Sequence, residues 1–68
     1  MTNPDPVAVL MIMAQEAEQS ANSFRRMAER ISNPAMAHSR NRALQDAHHH
    51  QVRADSLRAG ARALSGAA

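Results

Sequence analysis

The sequence has no cysteine, tryptophan, tyrosine or lysine, and Phe24 is its single aromatic residue. Each absence removes a class of answer. Without cysteine there is no disulfide staple and no thiolate zinc knuckle. Without stacking aromatics, single-stranded nucleic acid loses its usual platform. The longest apolar run, Val7 to Ala14, is eight residues, far short of the roughly 20 that cross a bilayer. It is preceded by Asp5 and two prolines rather than a basic stretch, so it is not a signal peptide either. The chain reads as soluble and cytoplasmic, with no membrane partner. Phosphate-binding loops, dinucleotide fingerprints, zinc-protease helices and nucleophile elbows are all missing. Ser20, Ser23 and Ser39 stand at no triad spacing from His48, His49 and His50. No enzyme, cofactor or metal is expected.

What remains is helix-forming. Ala, Arg, Met, Leu, Gln and Glu dominate the 68 residues (7.4 kDa), and β-branched residues are scarce, which points to an all-α fold. Asn3-Pro4-Asp5-Pro6 offers an N-cap, Asn3 or Asp5, with proline in the first turn. Nothing then breaks a helix until Ser32-Asn33-Pro34, where proline forces Asn33 out of the helical region and makes it the cap of a second helix. The expected organisation is one domain over 1–68, with helix 1 at about 5–32, a corner at 32–34, helix 2 at about 34–64 and a frayed tail at 65–68. Gly60 is a weak point near the end of helix 2. Two helices of roughly 40–45 Å joined by so short a connection fold back as an antiparallel hairpin.

The apolar spacing agrees. In helix 1, Leu10, Ala17, Phe24 and Ile31 recur every seven residues beside a second column, Val7, Ala14, Ala21 and Ala28, with Met13 and Met27 flanking the pair. In helix 2, Met36, Ala43, Leu57 and Leu64 form one column and Ala47, Ala54 and Ala61 the other. Heptads sustained over both helices make a coiled-coil seam, and facing alanines allow close approach. A single hairpin has only two layers and encloses little, and below roughly 70–80 residues a core seldom suffices alone. The expectation is therefore a homodimer, or a higher even oligomer, closing a four-helix bundle. Its core comprises Val7, Leu10, Ala14, Ala17, Ala21, Phe24, Ala28, Ile31, Ala43, Ala47, Ala54, Leu57, Ala61 and Leu64.

Three features exceed what such a bundle needs. Val9, Met11 and Ile12 make the start of helix 1 apolar beyond its seam face, suiting a dimer interface or a grip on another protein. His50 occupies a seam column opposite Ala17, within reach of Glu16 or Ser20, and could make an interface pH-sensitive, since imidazole titrates near neutrality. Asp46 and His50, at i and i+4, would need a symmetry mate to hold zinc, and the H-x3-H spacing of helical sites is absent. Finally, Arg40, Arg42, His49 and Arg53 could line one side of helix 2, while Arg25, Arg26 and Arg30 crowd the end of helix 1. The formal net charge is only +2, and residues 36–68 hold five Arg, two acids and all four His. Glu29 beside Arg25 and Arg26, Asp46 beside Arg42, and Asp55 at i,i+3 from Arg58 are expected to answer part of this charge locally.

The Asn33-Pro34 corner and the two seams, over residues 7–64, resemble in plan the small plasmid- and phage-encoded helical hairpins that dimerise. Among these are the Rop family of RNA-binding dimers and the phage quorum-sensing anti-activators, which inhibit host proteins. The resemblance implies a dimeric, non-enzymatic regulator. Rop-type proteins meet RNA through a polar and aromatic helix face, and the aromatic is missing here, so no binding residue transfers. The reading is a hairpin homo-oligomer that binds and modulates another protein, through Val9, Met11, Ile12, Arg40, Arg42, His49 and Arg53. The alternatives are a Rop-like nucleic-acid binder using Arg40, Arg42, His49 and Arg53, or a small anionic ligand or nucleotide held between protomers.

Overall fold

The computed structural model describes residues 3–66. Helix α1 spans Pro6–Arg30, a single 3₁₀ turn spans Pro34–Met36, and helix α2 spans Ala37–Gly66. The two α-helices pack against each other along their length as an all-helical hairpin.

Both starts are capped as their sequences require. Asp5 is extended, and its Oδ1 accepts from the Val7 N–H at 3.0 Å, with Pro6 in the first turn where a missing donor costs nothing. Asn33 repeats the device: it is extended, its Oδ1 accepts from the Ala35 N–H at 3.0 Å, and Pro34 follows. The corner contains no residue at positive φ among those described, so the reversal needs no glycine. It is made instead by extended backbone at Ile31 and Asn33, with the Ile31 N–H closing on the Ala28 carbonyl at 3.1 Å. That closure ends α1 at Arg30, two residues short of the expected 32. At the other end α2 is helical through Ser65 and Gly66, where fraying was expected; the last two residues of the expected tail, 67–68, lie outside the described residues. Gly60 does not interrupt α2.

The seam is made of alanine alone. Ala14, Ala17, Ala21 and Ala28 of α1 and Ala43, Ala47, Ala54 and Ala61 of α2 are buried, and no larger described side chain is fully buried. Val7, Leu10, Phe24, Ile31 and Leu57 are half-buried, and Leu64 is 53% exposed. The ordering follows side-chain size and position. The strict heptad columns Ala14, Ala21, Ala28 and Ala47, Ala54, Ala61 stay buried along their length, so the seam keeps the seven-residue period. In the neighbouring columns the alanines, Ala17 and Ala43, are buried, while the larger Leu10, Phe24, His50 and Leu57 extend out of the narrow seam and are half-buried. Leu64 lies past the Gly60–Leu10 contact, near the open end of the hairpin, and is exposed.

Candidate functional site: two unlike flanks and a basic tip

The register of the hairpin is fixed by side-chain pairs on both sides of the seam. On the first flank, Arg25 Nη2 donates to Gln51 Oε1 at 2.6 Å. Seven residues back along α1 and seven forward along α2, Arg58 grips Glu18 bidentately, with Nη1 to Oε1 at 3.0 Å and Nη2 to Oε2 at 2.7 Å. These pairs are joined into one chain. Arg25 Nη1 donates to Asn22 Oδ1 at 2.7 Å, Gln51 Nε2 donates to Asp55 Oδ1 at 3.1 Å, and Asp55 Oδ1 lies 3.8 Å from Arg58 Nη1. Fork-on-fork geometry makes the Glu18–Arg58 contact directional as well as attractive. The Arg58 hydrogen bonds are the main reason the Glu18 carboxyl is held below its ordinary value, and Glu18 in turn raises Arg58. The other flank is mixed, with methionine and a stacked ring pair among a few polar side chains. Phe24 stacks on His50 with ring centroids 5.4 Å apart and planes within 10°. A shallow groove beside them is lined by Met13, Glu16, Ala17, Ser20, His50 and Arg53. His50 therefore sits near Glu16 and Ser20, as its column predicts, but it stacks on the ring of Phe24 and neither of those polar groups hydrogen-bonds it.

Folding also re-sorts the charge. By sequence halves the excess lay in residues 36–68; in the hairpin it lies at the tip. The tip half, residues 25–50, carries five arginines against Glu29 and Asp46, together with all four histidines, whereas the open half carries three arginines against four acids. Among the described residues the only ion pairs are those of Arg58, with Glu18 and Asp55. The expected pairs of Glu29 with Arg25 or Arg26, and of Asp46 with Arg42, do not form. Arg25 is held by neutral amides, and Arg26 Nη2 reaches only Ser23 Oγ at 3.3 Å. Exposed charges gain too little from such pairing to immobilise two long side chains.

The structure divides the residues singled out for binding. Val9, Met11 and Ile12 are all exposed, but Met11 stands seven residues before Glu18 and shares the polar flank, while Val9 leads the column of Met13 and Ser20 on the aromatic flank. The helix 2 set divides too. Arg42, His49 and Arg53, spaced by seven and four, share a face; Arg40 lies across the helix in a cleft with Arg25, Ile31 and Leu44. His48 and His49 are 6.4 Å apart and tilted, and among the described residues no three potential metal ligands converge. No described helix is long and apolar enough to cross a membrane. No protein-family model matches the sequence, and neither a curated protein nor a solved structure is significantly similar to it.

Proposed function

We propose that the chain is a non-enzymatic interaction protein: two hairpins associate into a four-helix bundle that binds and modulates another protein, as adaptor or inhibitor. The observation that carries the first half is surface. The chain exposes 5269 Å², whereas a compact monomer of 7.4 kDa is expected to expose about 4,200 Å². The excess is comparable to the ~800 Å² that each partner buries in a standard interface. The reading is supported by burial: only alanine methyls are fully buried in the seam, and the larger apolar side chains are left half-buried or exposed.

The second half rests on the exposed basic face of Arg42, His49 and Arg53, which suits an acidic surface on a partner, with Arg53 at its border with the Phe24–His50 groove. A nucleic-acid reading is favoured by one observation, the five tip arginines that no carboxylate neutralises. The two are separable with freshly purified protein on size exclusion with light scattering and ultraviolet detection, because a chain without Trp or Tyr is nearly transparent near 260–280 nm. A mass twice that of the chain with a flat ultraviolet trace supports the protein-binding bundle. A peak absorbing at 260 nm supports the nucleic-acid or nucleotide reading, and a persistent monomer contradicts the bundle.

A further inference from the structure

The aromatic flank of α1 has a symmetry that the polar flank lacks. Reading outward from Ser20, Glu16 and Phe24 lie four residues to either side, Met13 and Met27 seven, and Val9 and Ile31 eleven. These offsets are one, two and three helical turns, so Val9 to Met27 fall on one stripe of α1, and Ile31, the extended cap residue, stands at its end where it also borders the cleft with Arg25 and Arg40. The outer pairs match in chemistry: methionine with methionine, valine with isoleucine. The centre is small. Val9 is 37% and Met27 50% exposed, and Met13, Ser20, Phe24 and Ile31 are half-buried, so the stripe is open to a partner along its whole length.

A surface that meets a copy of itself about a two-fold axis must be self-complementary. From this palindrome we infer that the occupant of the flank is a second copy of the chain, docked antiparallel with the two-fold axis passing through Ser20. This rests on the bundle reading above and specifies its interface. In that register Met13 of one copy meets Met27 of the other, Val9 meets Ile31, and Ser20 meets itself, allowing α1 to approach its mate closely. Glu16 of each copy arrives level with the Phe24–His50 stack of the other and near Arg53, opposite charge against its carboxylate. The long-range field selects the same orientation. Antiparallel docking lays each basic tip, five arginines against two acids, along the other copy's open half, three arginines against four acids; parallel docking would bring the two basic tips together. With principal extents of 53 × 24 × 12 Å, one broad side of the hairpin is ample for the ~800 Å² per partner of a standard interface.

The chain has no cysteine of its own, so introduced thiols report the geometry directly. Ser20→Cys should convert nearly completely to a disulfide-linked dimer under mild oxidation, because a bridge forms only where Cα atoms come within roughly 4.4–6.8 Å. Met13→Cys and Met27→Cys should link to each other when mixed, and each poorly to itself. Ser56→Cys, on the outer side of α2, should link poorly. Light scattering of the same variants under reducing conditions separates the two levels of the claim. A dimeric mass in which Ser20→Cys does not cross-link, or in which Met13→Cys links to itself as in a parallel pair, overturns this interface and leaves the bundle standing. A monomeric mass overturns both.

Discussion

The two flanks of the hairpin lie on opposite sides of the same alanine seam and do opposite work. One is a chain of directed polar contacts, from Asn22 through Arg25, Gln51 and Asp55 to Arg58 and Glu18, and it is complete within a single chain. The other is a stripe of valine, methionine, phenylalanine and isoleucine, with one stacked ring pair, and it is left open. A polar flank sets register and orientation but contributes little net stability, since exposed pairs exchange protein contacts for equally good water contacts. An apolar flank has no directionality, and its energy is realised only when something covers it. The difference teaches how so small a chain divides the labour: contacts within the hairpin choose the alignment, and contacts between hairpins would supply the stability.

Four substitutions probe that division, in decreasing order of effect. The seam beneath both flanks is the most sensitive place. Ala54 is fully buried, so Ala54→Leu forces the helices apart and should cost about 3 kcal/mol or more, read as a lowered thermal midpoint by circular dichroism. On the aromatic flank, Phe24→Ala removes the ring from His50 and should cost about 2 kcal/mol, less than the ~3–5 kcal/mol of a fully buried phenylalanine. It should also weaken association, which light scattering at decreasing concentration reads. Gly60→Ala should move stability the other way, by about 0.5–1 kcal/mol, as alanine replaces glycine inside a helix; the added Cβ would lie 3.7 Å from Leu10 Cδ1, an ordinary contact. The smallest change is expected on the polar flank. Glu18→Gln should lower the midpoint slightly at neutral pH and leave the oligomer intact. Because Arg58 lowers the Glu18 carboxyl below its ordinary value of 4.5, the folded state binds this proton less readily than the unfolded one. Its contribution is thus full above that value and is lost as pH falls through the lowered one, so wild type and Glu18→Gln should converge in acid.

Much of the fold was legible beforehand. Proline at 34 with asparagine before it marks a corner on local sterics alone, and alanines at heptad spacing mark the seam. The remaining features have identifiable physical causes. Leu64 falls in a seam column by spacing, yet it lies past the Gly60–Leu10 contact near the open end and is exposed in the single hairpin. Arginines were matched to acids within their own helix, whereas the strongest pair joins Glu18 to Arg58 across the hairpin. Counting back from a corner near 33 puts residue 18 opposite about 48–49, so the pairing with Arg58, well further along α2, depends on the reach of both long side chains and is not given by register alone. The basic stripe of helix 2 failed for a related reason, since Arg40 stands on the opposite side of α2 from Arg42, His49 and Arg53. The charge at the tip could not be seen in either sequence half, because it assembles the end of one helix with the beginning of the next.

The central claim is that the aromatic flank is completed by another copy and the polar flank is not. It is tested most directly by the concentration dependence of the thermal midpoint, followed by circular dichroism over a hundredfold range of protein concentration. Folding coupled to association makes the midpoint rise with concentration. The midpoint should climb for wild type and for Glu18→Gln and flatten for Phe24→Ala. A wild-type midpoint that does not change with concentration, in a protein that melts cooperatively as a monomer, would contradict the account.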